Sequence, residues 1–189
     1  MGRVLNDDEW ESLFDQIKYT AFRLELQPAY DVSYEQEPLR RYLAGELTDP
    51  WKYKDETHEW CRLVSALTQR GGRMERVRVF EDPPTDYQRW LRWASEVNVA
   101  MGELQWYVTR QQAHDFGLLP PAGNVDWWLF DSEKLIQMHF QPDGQKLRYE
   151  LVDDPATVVQ ANGWRDMALY HARRIEGAVP EKEVREQVG

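Results

Sequence analysis

A single α/β domain built on a mixed β-sheet flanked by helices is the fold class this chain predicts, and three observations carry it. Stretches of period two alternate with amphipathic helical stretches over the N-terminal half, the pattern of strands and helices taking turns along one sheet. A helical stretch separates the strand-like runs 74–80 and 104–108, as a crossover between parallel strands requires. Three strand-like runs at 125–131, 134–140 and 146–152 then follow with short connections, which fits a C-terminal antiparallel meander, and a helix comes after it. The domain is expected to span residues 1–176, with 177–189 a loose polar tail.

Each element has a local reason. Asn6 followed three residues later by Glu9 reads as a capping box, and Trp10, Leu13, Phe14 and Ile17 fall on one helical face. Phe22, Leu24 and Leu26 alternate with Arg23, Glu25 and Gln27 as a strand that Pro28 closes. Residues 30–37 read as ambiguous, and Pro38 as the first position of a short helix ending before Gly45. Asp49, Pro50 and Trp51 form a turn. Trp60, Leu63, Val64 and Leu67 mark a helix stopped by Gly71 and Gly72. The basic strand Arg73–Phe80 comes next; Val77 and Val79 point to one face, Arg76 and Arg78 to the other. Thr85 caps a helix whose face carries Tyr87, Trp90, Leu91, Ala94, Val97 and Met101, and Gly102 ends it. Leu104, Trp106 and Val108 alternate as a strand, and 110–124 reads as a surface loop. Pro142, Asp143 and Gly144 make the hairpin turn between the last two strands. The final helix starts at Asp154-Pro155, with Asn162-Gly163 as a break inside it.

Composition excludes several classes. The 189 residues are 42% hydrophobic and 13% aromatic with 9 Trp, too rich in large apolar groups for a disordered chain. No run approaches 18 apolar residues and the N-terminus lacks a signal-peptide core, so neither a membrane nor export is expected. One cysteine, Cys61, leaves no internal disulfide, and a cytoplasmic protein is the expectation. A net charge of -10 argues against sequence-independent nucleic-acid binding. Against that background, three arginines within six residues (Arg73, Arg76, Arg78) are a local exception.

Several segments resemble an actinobacterial family of unknown function often encoded beside Xre-type helix-turn-helix regulators. They are Ala21–Glu25 with Tyr30, Arg76–Val79, Glu81–Tyr87, Asn98 with Gly102 and Glu103, and Trp127–Asp131. The resemblance implies a regulatory setting, with a helix-turn-helix regulator or another neighbour-encoded protein as partner, and brings no activity. A fainter likeness is to ligand-sensing relatives of the phospholipase-D-like fold, where a helix ending in glycine also leads into an Arg-bearing strand. Catalysis on that fold needs a His followed two residues on by Lys. Here His58, His114, His139 and His171 are followed at that spacing by Trp60, Phe116, Gln141 and Arg173, so that chemistry is not expected. Fold analogy does not carry function.

The scattered histidines give no metal-ligand spacing, no phosphate loop or dinucleotide fingerprint occurs, and no cofactor or metal is expected. A Cys61–His58 nucleophile pair would share a helix face, but Glu59 opposes thiolate formation. Asp131 with Ser132 and Glu133 reads as a turn capping backbone amides, with a ligand role as the sharper alternative. Arg23, Glu25, Arg76, Arg78, Glu103 and Asp131 are the candidate ligand-binding residues. Arg23 and Glu25 share one strand face, Arg76 and Arg78 another, and they form either a ladder of ion pairs or an anion pocket. Trp51, Trp93 and Trp128 are the candidate partner surface.

The expected function is a non-catalytic binding protein recognising a partner protein or a small anionic ligand. The alternative is an enzyme of unfamiliar type that uses carboxylates with an arginine substrate clamp. A deep pocket in which these groups converge, with perturbed carboxylate pKa values, favours the alternative.

Overall fold

Residues 2–53 and 58–175 are described by a computed structural model; the tail 177–189 lies outside them. In chain order the strands are β1 (Arg3–Leu5), β2 (Thr20–Glu25), β3 (Arg73–Phe80), β4 (Leu104–Thr109), β5 (Asp126–Phe130), β6 (Lys134–Phe140), β7 (Lys146–Val152) and β8 (Arg173–Arg174). The helices are α1 (Asp7–Asp15), α2 (Ser33–Leu43), α3 (Glu59–Gln69), α4 (Asp86–Ala100), α5 (Arg110–Asp115) and α6 (Pro155–His171). One 8-stranded mixed sheet has the order β1-β7-β6-β5-β2-β3-β4-β8. The chain is a single α/β domain, as the alternation of patterns predicts.

The centre of the sheet is parallel. β2 pairs with β3, and β3 with β4, through the crossover α4. β5 then enters antiparallel against the free side of β2 and continues as the meander β5-β6-β7. This places the two central strands in the middle of the domain, covered on both faces.

The two faces carry different cores. Phe22, Leu24, Val77, Val79, Val108, Trp127 and Leu129 turn to one side, where α5 and α6 cover them with Ala113, Ala161, Trp164 and Ala168. Ala21, Met74, Trp128, Phe130 and Ile136 turn to the other, under Trp10 and Phe14 of α1 and Trp60, Val64 and Leu67 of α3. On that second face α4 packs beside α3, and α2 lies against α4 around Tyr87, Trp90 and Ala94. The basic strand therefore alternates between an apolar side and a side that carries Arg76 and Arg78.

The helix starts follow their caps. Asn6 and Glu9 form the capping box of α1, and Thr85 with Gln88 that of α4. Four local readings are corrected. Helix α2 begins at Ser33 and holds Pro38 inside it, so the ambiguous stretch 30–37 is largely helical. The loop 110–124 contains α5, whose box is Thr109 and Gln112. The strands β1 and β8 are too short to show a period. Asn162 and Gly163 do not break α6, because Asn162 donates to the Val158 carbonyl at 3.0 Å and the helix runs through.

A Cβ added at Gly163 meets nothing within 4 Å. Gly163→Ala is therefore expected to stabilise the domain by about 0.5–1 kcal/mol, the helix-propensity difference. A raised midpoint in urea unfolding checks this; a lowered one would contradict a continuous α6.

Candidate functional site

The face that bears Arg76 and Arg78 does not close on itself. A cavity of about 640 Å³ opens over β2, β3 and β5, beneath α1, the start of α2, the His58 end of α3, and α4. That volume lies within the roughly 300–1,000 Å³ typical of small-molecule sites.

Register explains what reaches its floor. On parallel β2 and β3, Arg23 lies opposite Arg76 and Glu25 opposite Arg78. All four side chains leave the same face, so three guanidiniums surround one carboxylate. Glu25 receives Arg23 Nη1 at 3.2 Å, Arg76 Nη1 on the same oxygen, and Arg78 Nε on the other. Arg78 Nη1 also donates to Ser95 Oγ of α4 at 2.9 Å and to Gln105 Oε1.

Two further carboxylates stand behind the arginines rather than on the cavity wall. Glu103 accepts Arg76 Nε at 2.8 Å, Trp60 Nε1 at 2.9 Å and Gln105 Nε2 at 2.8 Å. Gly102 puts it there: with φ 107 it ends α4 in the left-handed region, and Glu103 N–H closes back onto the Asn98 carbonyl at 3.0 Å. Asp126, at the start of β5, accepts Arg23 Nη2 at 3.2 Å, Leu26 N–H at 2.8 Å and the Tyr30 hydroxyl. Arg76 and Arg23 are thus fixed from behind, while Arg78 is held by Glu25, Ser95 and Gln105.

The charges respond to this packing. Burial alone would raise the Glu25 carboxyl, but Arg23, Arg78 and Arg76 outweigh it and hold the group well below the usual carboxylate range. Glu103 is also driven up by burial and then down further by Arg76 and the Trp60 N–H, so it too stays ionised. Asp126 goes the other way. Its burial and the neighbouring Glu25 charge outweigh Arg23, and its pKa is raised. Burial raises the Tyr30 phenol, and Asp126 raises it further. Opposite shifts within one buried cluster accompany functional sites, and structural ion-pair networks produce them too.

Aromatic rings wall the cavity: Trp10, Phe14, Trp60, Trp128, Tyr30 and Tyr149. Arg76 Cζ lies 5.2 Å from the Trp60 ring and 5.5 Å from the Trp128 ring, and Arg23 Cζ lies 5.6 Å from Trp128 and from Tyr30. At the rim, His58 Nδ1 accepts the Trp60 backbone N–H at 3.3 Å. Glu35, at the start of α2, accepts the Tyr87 hydroxyl. Among the described residues no group of three or more His, Cys, Asp or Glu is placed to hold a metal, and no helix is long and apolar enough to cross a membrane.

Of the candidate residues, Arg23, Glu25, Arg76, Arg78 and Glu103 come together in one cluster. Asp131 does not. It sits beyond β5 at φ 50, and its carboxylate accepts the backbone N–H groups of Lys18, Tyr19 and Thr20 at 2.7–2.9 Å; this capping role replaces the ligand role. Trp128 is 1% exposed inside the aromatic wall, so it is not a partner surface. Trp51 and Trp93 are half-buried, Trp93 beside Tyr42 and Tyr53, and neither stands out as an exposed anchor. Cys61, already disfavoured as a nucleophile by Glu59, is fully buried against Asn98. Sequence reasoning missed Asp126 as a member of the cluster, and with it Tyr30 and the rim groups His58 and Glu35.

The family model of the domain of unknown function DUF6879 matches residues 8–177. The chain belongs to this family. No curated protein matches this DUF6879 chain. Among solved structures, NucT from Helicobacter pylori is similar to the DUF6879 chain over 91% of its length and 96% of its own, at 11% identity and a TM-score of 0.48. At this distance the likeness carries neither an activity nor residue roles to the DUF6879 chain. The expectation of a non-catalytic binding protein is nevertheless not retained for the DUF6879 chain. A cavity on which these groups converge, with perturbed carboxylates, is the arrangement the enzyme alternative calls for.

Breaking the second layer has a defined cost. Glu103→Gln leaves the buried Arg76 without its counter-charge and is expected to destabilise the domain by about 3–5 kcal/mol near neutral pH. The folded-state pKa of Glu103 is lowered from the usual 4.5. Its stabilisation is therefore complete above pH 4.5 and is lost as pH falls toward the folded value. The gap in unfolding free energy between wild type and Glu103→Gln should accordingly narrow below pH 4.5. A gap independent of pH would show that the charge of Glu103 contributes nothing.

Proposed function

We propose that this chain is an enzyme acting on a small anionic substrate, a carboxylate or a phosphate, held in the cavity over β2 and β3. The observation that carries the reading is the convergence of Arg23, Arg76 and Arg78 on the floor of one aromatic-walled cavity, Arg23 and Arg76 backed by Asp126 and Glu103 and all three paired with Glu25. Prepositioned guanidiniums stabilise developing negative charge without reorganising during reaction.

Roles follow from the charge states. Arg23, Arg76 and Arg78 clamp the anion. Glu25, held ionised by all three, takes no part in proton transfer near neutral pH and sets the spacing of the clamp. Glu103 and Asp126 are positioning residues for Arg76 and Arg23. Proton transfer falls to the rim, where His58 and the Glu35–Tyr87 pair line the same cavity. General acid–base groups of this kind contribute about 10²–10⁴-fold to rate.

The test is to incubate the purified protein with a fractionated metabolite extract and follow consumption by mass spectrometry. One anionic metabolite should disappear as a product accumulates. Glu35→Gln and His58→Asn should fold, judged by circular dichroism, and at least one should slow the reaction about 100-fold or more. A metabolite that raises the melting temperature and is never consumed would contradict the enzyme reading, as would full activity in both variants.

A further inference from the structure

We propose that the anion is a phosphate monoester carrying a planar ring, bound with its phosphate on the arginine floor and its ring among the aromatic walls. This rests on the substrate-site reading above and narrows it.

The donors point to an oxygen-rich ligand. Arg23 Nε, Trp90 Nε1 and Trp128 Nε1 are buried without a hydrogen-bond partner, and all three residues line the cavity. Arg78 Nε also lacks hydrogen-bond geometry, but it lies in an ion pair with Glu25 and is not counted with them. Each of these nitrogens is itself shielded from solvent, so an acceptor in the cavity completes it only as the lining side chains shift.

Geometry favours a tetrahedral group over a flat one. Arg23 and Arg76 are register partners on adjacent strands, and Arg78 follows Arg76 by two residues. Neighbouring strands lie about 4.8 Å apart and alternate residues about 6.6 Å apart, so the three side chains rise from the corners of a small triangle. A single guanidinium fork already satisfies a planar carboxylate. The Glu25 carboxylate now lies between the three forks; with Glu25 turned aside, they suit a group with oxygens directed to several sides.

Charge separates monoester from diester. On the floor, Arg23, Arg76 and Arg78 contribute +3 and Glu25 contributes -1, a net +2; with Asp31, Glu35 and Lys146 counted, the whole lining carries +1. Glu103 and Asp126 compensate from behind and are not part of the wall. Asp31 and Glu35 stand at the rim, and the rim cation Lys146 is paired with Asp7. A phosphate monoester, with a second pKa of about 6, is mostly a dianion at neutral pH and matches this layer. A diester carries one charge. The aromatic walls then supply faces and edges for a ring, which stack or meet it edge-on.

Isothermal titration calorimetry on the intact protein tests this without requiring turnover. The ring-bearing monoesters are adenosine 5′-monophosphate, uridine 5′-monophosphate and pyridoxal 5′-phosphate. The comparators are cyclic adenosine monophosphate, adenosine, ribose 5-phosphate and malate. At least one ring-bearing monoester should bind about tenfold or more tighter than every comparator. Glu25→Gln removes the anion that competes for the arginines, so it should tighten that binding about tenfold while lowering the melting temperature. A Glu25 that merely holds the fold would weaken both. If Glu25→Gln does not fold, Arg23→Lys, which keeps the charge and loses the fork, should weaken binding about tenfold. Malate or cyclic adenosine monophosphate binding as tightly as the monoesters would overturn the proposal, as would no monoester binding below about 1 mM. A metabolite without phosphate that is turned over would refute the monoester and leave the enzyme reading standing. A monoester bound but never consumed would do the reverse.

Discussion

Glu25 is the charge on which the rest of the site depends. Three guanidiniums gathered on two adjacent strands repel one another, and 5–6% exposure of Arg76 and Arg78 leaves water little access to screen them. Glu25, 5% exposed and in ion-pair contact with all three, makes the arrangement sustainable. A buried ion pair is weak evidence for stability, because apolar residues of similar volume often serve as well. Three arginines kept where Val or Leu would pack more cheaply therefore call for another explanation. An anion that visits the cavity supplies one.

The fold delivers this cluster through connections remote in sequence. Parallel alignment of β2 and β3 brings Arg23 and Glu25 level with Arg76 and Arg78. The left-handed turn at Gly102 swings Glu103 under Arg76 as α4 gives way to β4. β5, entering antiparallel beside β2, brings Asp126 to Arg23 across about 100 positions of chain. The result is two layers, cations toward the cavity and carboxylates behind, with opposite pKa shifts in Glu103 and Asp126 as the electrostatic consequence. On the opposite face of the same strands Val77 and Val79 hold the apolar core, so one short basic strand serves both packing and chemistry.

How much of this was legible depended on distance along the chain. Period two in 73–80 and 22–26 was enough to place Arg76 with Arg78 and Arg23 with Glu25, because alternation is a local property. Glu103 could be singled out since Gly102 marks the helix end before it. The pairing of Asp126 with Arg23 was not readable: which strand lies beside β2 is decided by packing of the whole sheet. Asp131 shows the same limit from the other side, since the three amides it caps belong to residues 18–20. Trp128 was misplaced because adjacent tryptophans in a strand announce opposite faces but not that helices cover both. The short strands β1 and β8 carry too few residues for any period, and α5 was hidden in a stretch bounded by prolines and glycine.

The choice between an ion-pair ladder and an anion floor can be decided by a crystal structure grown in tungstate, a tetrahedral dianion of high scattering power that stands in for phosphate. The site described here requires tungstate density among Arg23, Arg76 and Arg78, with Glu25 turned from at least one of them. An undisturbed Glu25 network with no tungstate on the cavity floor would contradict it.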